Sequence, residues 1–232
     1  MKLESTRSVL KSFLVNPKIK MNYPITSIVS PWDSVIVFIH MDKLGEEEFN
    51  SFGVRKMDTL LSAIDVYEDP VITFEGNNIV LTTSSDKQEI RTSTPELNAL
   101  IKEPKYEALK AIENSPADYN KIFDVVIDKE DLIKKSKIQK LFGLEVYRIK
   151  GENDNCQISV CNLNGSVGEN EATSNIDGTG DGEIVFSVED ISMLPILDYK
   201  VSVYERTANG SKISIWRPVD IPEVEVIVTQ KQ

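Results

Sequence analysis

Residues 131–163 read DLIKKSKIQKLFGLEVYRIKGENDNCQISVCNL, a lysine-rich helical pattern followed by two apolar runs that flank the turn sequence Gly151-Glu152-Asn153-Asp154-Asn155. The helix is expected from Asp128 to about Leu141, with Leu132, Ile133 and Ile138 as its apolar positions. Gly143 stops it, because glycine accepts the left-handed conformation that ends a helix. Residues 144–150 and 156–163 then pair as a hairpin. The same order occurs earlier, in residues 52–94, FGVRKMDTLLSAIDVYEDPVITFEGNNIVLTTSSDKQEIRTST. There Met57, Leu60, Leu61 and Ile64 stand at i, i+3, i+4 and i+7, one face of a helix. Residues 71–75 and 79–83 flank Gly76-Asn77-Asn78 as a second hairpin, and residues 88–94 add a strand. A chain that repeats its architecture in this way reads as a scaffold before it reads as an enzyme.

Working outward, a helix is expected over residues 4–15, with Val9, Leu10, Phe13 and Leu14 as its stripe and Pro17 ending it. Strands follow at 18–22, 25–29 and 35–41, separated by Pro24 and by Ser30-Pro31-Trp32-Asp33 as turns, and residues 49–54 lead as a strand into the second helix. Between the two copies, Pro95, Pro104 and Pro116 bracket a polar, weakly helical stretch that belongs to neither and reads as a connector over about 95–118. After a strand at 119–127 and the second copy, residues 164–182 are rich in Gly, Asn, Ser and acid, with a weak strand near 171–176. A strand at 183–188, a short helix at 189–194 stopped by Pro195, and strands at 199–206, 212–216 and 224–229 complete the pattern. Helices therefore start near residues 4, 55, 129 and 189, two in each half. The expected class is α+β, with an N-terminal domain over 1–110 and a C-terminal domain over 119–232, each made of two βαβββ-like units.

At 232 residues the chain holds one large domain or two small ones, and the repeat favours two. Hydrophobic residues at 41% and charged residues at 27% are the proportions of a folded globular protein, which sets aside a disordered chain or a fibre. The opening MKLESTRSVLKSF is too polar for a membrane span or a signal peptide, so the expected location is the cytoplasm. Cys156 and Cys161 are five apart in one strand and point to opposite faces, which argues against a mutual bond or a shared metal.

The net charge of -11 argues against nucleic acid as a partner, but the average hides a segregation. Cations gather at Arg7, Lys11, Lys18 and Lys20, at Arg55 and Lys56, and at Lys129, Lys134, Lys135, Lys137 and Lys140. Acids gather over 42–48, 65–69 and 169–190. Charges carried on equivalent helices of a repeat converge on one surface, where they would meet phosphate oxygens without reading bases. Catalytic signatures give little. His40, the single histidine, could pair with a nucleophile or be an ordinary strand residue, and the sequence has no nucleophile elbow, Walker loop, GxGxxG, HExxH or CxxC. Asp177-Gly178-Thr179-Gly180-Asp181-Gly182 offers oxygen ligands at the first, third and fifth positions of a calcium loop, yet Val188 stands where the twelfth needs a carboxylate; a solvated acidic loop is the other reading. No metal and no cofactor is expected.

MKL…VLKSF at the start, VRKMDTLLSAIDVYEDPVITFEGNNIVLTT, DLIKKSKIQKLFGLEVYRIKGENDNCQISVCNLNG, and LPILDYKVSVYER near the end, in this order, resemble the DNA polymerase sliding clamps of T4-type bacteriophages, relatives of the PCNA-like clamps. The resemblance implies the DNA clamp fold and a homotrimeric ring of six similar domains, with helices lining a central hole and antiparallel sheets outside. Arg7, Lys11, Arg55, Lys56, Lys129, Lys134, Lys135, Lys137 and Lys140 would then face duplex DNA. It further implies a non-enzymatic processivity factor, opened by an ATP-driven clamp loader and tethering the DNA polymerase by its C-terminal peptide, with a sigma-like late transcription factor and a coactivator as further partners. By position, the peptide's pocket would draw on Val29, Trp32, Tyr119, Ile122 and Pro222, which read equally as core or turn residues. Two other classes compete: a structural β-rich phage subunit, for which lysines on equivalent helices have no use, and a hydrolase with an unrecognised carboxylate pair.

Overall fold

A computed structural model describes residues 4–66, 71–75, 78–82, 87–91, 103–153, 155–163 and 171–231. The chain divides into two compact units, Met1–Tyr106 and Glu107–Gln232. Among the described residues, helices starting at residues 4, 57, 129 and 188 are followed by four, three, five and three strands, and a further helix starts at residue 106.

In the first unit, α1 (Glu4–Ser12) is followed by β1 (Ile19–Met21), β2 (Ile25–Val29), β3 (Val35–His40) and β4 (Phe52–Val54), paired antiparallel in the order β3-β2-β1-β4. Val9, Leu10 and Phe13 of the first apolar stripe are buried, whereas Leu14, beyond the helix end, is only half-buried. In α2 (Met57–Val66), Met57, Leu60, Leu61 and Ile64 are all buried, as their spacing requires. The strand expected from residue 49 begins only at Phe52; Phe49 instead sets its ring 5.7 Å from Phe52 and 6.0 Å from Tyr23. Strands β5 (Val71–Glu75), β6 (Asn78–Thr82) and β7 (Lys87–Arg91) form an antiparallel ladder in that order. Residues 92–94 of the expected strand lie outside the described residues, as do residues 95–102 of the connector. Within the rest of the connector, Tyr106–Asn114 form a regular helix, α3, which from Glu107 onward belongs to the second unit and buries Leu109 and Ile112. A spacing of three between two apolar positions puts them on one face about a turn apart, a signal that the surrounding prolines obscured. His40 is a strand residue whose ring meets the edge of Tyr106 at 4.9 Å.

The second unit contains β8 (Tyr119–Ile127), α4 (Lys129–Phe142), β9 (Val146–Glu152), β10 (Asn155–Cys161), β11 (Ala172–Ile176), β12 (Gly178–Gly180), β13 (Gly182–Ser187), α5 (Val188–Ser192), β14 (Tyr199–Arg206), β15 (Lys212–Pro218) and β16 (Val224–Thr229). One sheet runs β12-β8-β14-β15-β16 and the other β11-β10-β9-β13. Phe186 of the second sheet and Tyr199 of the first both meet Trp216 edge-on, at 5.6 and 5.4 Å, and this aromatic group is the centre of the core. Its polar atoms are satisfied: the Trp216 indole donates to the Ser214 hydroxyl at 2.8 Å and the Tyr199 hydroxyl to the Pro195 carbonyl at 2.8 Å. Gly143 ends α4 with φ +63 and its amide donates to the Gln139 carbonyl.

Residues 177–182 depart most from the sequence reading, whereas the strands expected near 171–176 and over 183–188 are present as β11 and β13. The calcium loop, and equally a solvated acidic loop, is replaced by β12, which pairs with β8 with Thr179 opposite Asp124, while β11 before it pairs with β10. Asp181 accepts a 2.6 Å hydrogen bond from the Asn153 amide, and the chain then crosses to the other sheet, where Gly182 faces Gly151. Gly151, expected in the turn, is a strand residue for a steric reason. A Cβ there would lie 2.4 Å from the Gly180 carbonyl oxygen, and one on Gly178 would lie 2.9 Å from Cys156 Sγ. Only glycines allow β12 this close to both sheets. Cys156 and Cys161 are buried free thiols.

Candidate nucleic-acid interface

Helix α4 carries the densest set of cations. Lys129, Lys134, Lys137 and Lys140 are exposed, and among the described residues none of the four side chains has an ion-pair partner. Spacings of three put Lys134, Lys137 and Lys140 along one face. The helix lies with its opposite face on β10 and β11. Glu130 and Asp131 in its first turn and Lys140 in its last complement the helix dipole. Its N-terminus is held from a distance: the Lys129 amide donates to Asp198 Oδ1 at 2.7 Å, while the adjacent Asp128 side chain makes no cap. No local pattern marks Asp198.

Lys135 is a correction to the expected basic face. It is fully buried, and its Nζ donates to the Ser174 hydroxyl of β11 at 2.8 Å. Its position three residues after Leu132 puts it on the buried stripe, a signal available in the sequence. Desolvation lowers the Lys135 pKa, with Asp131 acting in the opposite sense. Because the folded state then binds fewer protons than the unfolded one, stability should rise with pH from the lowered folded value up to 10.5, the ordinary lysine value. Urea unfolding across that window should show the rise in the parent and not in Lys135→Met. At neutral pH the variant should gain roughly 1 kcal/mol, since an apolar chain of similar shape replaces a buried charge.

The other expected cations are not equivalent to these. Arg7 lies 3.1 Å from Asp65 of α2, and Lys11 donates to the same carboxylate. The hydrogen bond from Lys11, with Arg7 beside it, holds the Asp65 carboxyl below its ordinary range. Charge is therefore partly neutralised on α1, and the acids at 65–69 are not wholly segregated from the cations. Arg55 and Lys56 are exposed but precede α2 instead of riding on it. Lys20 pairs with Glu103 at 2.8 Å.

Among the residues expected at a peptide pocket, Val29 is buried at the end of β2 and Trp32, in the turn that follows, is 68% exposed. In the second unit Tyr119 opens β8 opposite Arg206, and Pro222 is exposed before β16. Ile122 is the extra residue of a bulge, because Phe123 pairs with Val203 while Lys121 pairs with Tyr204.

A cleft of about 140 Å³ opens between α4 and α5. Leu132, Tyr147 and Trp216 form its floor, and Ser136, Lys140 and Ser192 stand among the residues around it. Burial pushes the Tyr147 phenol up, with a hydrogen bond to Ser136 acting the other way.

The fold is similar to that of several solved sliding clamps. Proliferating cellular nuclear antigen (PCNA) from Entamoeba histolytica superposes with a TM-score of 0.63 at 10% identity, covering 98% of this chain and 95% of that one. The structure of the C-terminal region of FEN-1 bound to A. fulgidus PCNA matches with a TM-score of 0.61 at 14% identity, over 99% and 95%. DNA polymerase III subunit beta from Pseudomonas aeruginosa matches at 0.60 and 13%, over all of this chain but 65% of that chain. No protein-family model and no curated protein matches the sequence. The fold is thus the α+β DNA clamp fold, with antiparallel sheets and few helices. Among the described residues no helix is long and apolar enough to cross a membrane.

Proposed function

We propose that the chain is a DNA sliding clamp, a ring-forming processivity factor that encircles duplex DNA and carries out no covalent chemistry. The observation that carries this reading is the row Lys134, Lys137 and Lys140, exposed and without ion-pair partners among the described residues, on a helix of a clamp fold. Lys129, Arg55 and Lys56 add exposed charge, and Arg7 and Lys11 contribute what Asp65 leaves them. A few lysines without a base-reading partner suit sliding, which needs a weak attraction to phosphates that is blind to sequence. The ring is a homotrimer. Among the described residues β7 and β11 stand at the ends of their sheets, and pairing β7 of one chain with β11 of the next would satisfy backbone groups on both edges. The sequence resemblance supports a narrower role as the clamp of a T4-type phage in its host's cytoplasm. The clamp is loaded by an ATP-driven loader, tethers the polymerase by its C-terminal peptide, and serves late transcription with a sigma-like factor and a coactivator. The exposed Trp32 is the first residue to test for peptide docking.

Light scattering after size exclusion is expected to give a particle of three chains of 26.1 kDa each. A persistent monomer or a two-fold dimer would overturn the ring. On nicked circular DNA loaded with loader and ATP, the protein should stay bound while the circle is intact and leave once it is cut into linear form with free ends.

A further inference from the structure

We infer that the cleft between α4 and α5 is a docking site for an acidic peptide segment that presents one apolar side chain, a use separate from attraction to DNA phosphates. Its volume of about 140 Å³ holds a single large side chain, since an apolar cavity of roughly 150 Å³ admits a benzene ring. The floor of Leu132, Tyr147 and Trp216 is apolar and buried, so it offers a phosphate nothing and an aromatic or branched side chain a great deal. Lys140 is the only charged residue among those lining the cleft, and the Ser136 and Ser192 hydroxyls can orient a peptide backbone. Around it the exposed face of α4 mixes Lys134 and Lys137 with Ile133, 37% exposed, and Leu141, 74% exposed, and Ile196 beside α5 is 50% exposed. Tracking phosphates gives no reason to expose these apolar chains. A segment alternating acid and apolar residues is complementary to both the charge and the apolar surface.

The site stands on the C-terminal unit alone; only the consequence that its occupant competes with duplex DNA rests on the clamp reading. The test uses the full chain and a fluorescein-labelled peptide with one phenylalanine flanked on each side by two acidic residues. Anisotropy should rise saturably, and replacing the phenylalanine by alanine should weaken binding about tenfold or more, the worth of burying one such side chain. Ser192→Trp, which fills the mouth of the cleft, should weaken the parent peptide by a similar factor. Lys140→Glu, an exposed change that leaves the fold intact, should do so as well. Absence of binding, or binding indifferent to the phenylalanine and to Ser192→Trp, overturns the site and leaves a charge effect only. Binding that passes these tests but is not displaced by a short duplex establishes the site and counts against α4 as the DNA-facing helix.

Discussion

Gly180→Ala should destabilise the C-terminal unit by roughly 3–5 kcal/mol, the sum of a strained backbone and an overpacked contact. At φ +106 an alanine is strained whatever the space, and here there is none: its Cβ would fall 2.4 Å from the Ile122 carbonyl oxygen and 2.9 Å from Phe123. Neither neighbour can retreat easily, because β8 is held on its far side by β14. The urea midpoint should fall sharply with an unchanged slope, whereas Thr179→Ala, an exposed change in the same strand, should stay within about 0.5 kcal/mol of the parent. A loss below about 1 kcal/mol for Gly180→Ala would mean that β12 can leave β8 without cost.

Reversing Lys134, Lys137 and Lys140 to glutamate should produce the largest functional effect. If each lysine neutralises one phosphate, the log–log salt dependence of duplex binding should flatten by about 2.7 per chain, and repulsion from the new carboxylates should weaken binding further. Folding should be unaffected, since all three side chains are exposed. Measured by duplex binding over a salt series, with light scattering run alongside, the variant should lose DNA retention and keep its assembly state. Loss of assembly instead would place these lysines at a subunit interface.

How far the sequence carries depends on the range of the cause. Helix α2 was legible because four apolar residues at helical spacing are a local statement about one buried face, and all four are buried. The hairpin of β9 and β10 and the glycine stop after α4 were legible for the same reason. The connector helix α3 was under-read, since prolines around it outweighed a single turn between Leu109 and Ile112. For the candidate interface, the cations themselves were found from composition and spacing, but which of them are available was not. Lys135 lies on the buried stripe and bonds Ser174, 39 residues away, and Arg7 and Lys11 share an aspartate on another helix.

By itself the sequence determined the order of the elements other than β12, the α+β class, and the concentration of lysines on α4, all of which follow from periodicity and turn residues within a few positions of one another. Only the tertiary structure decided that residues 178–180 are a strand wedged between two sheets and that Asp198 caps α4. It alone also set Lys135 apart from the exposed lysines and opened a cleft between α4 and α5. The reason is common to these cases: each depends on the distance between atoms of residues far apart in the chain, which close packing fixes and no local pattern encodes.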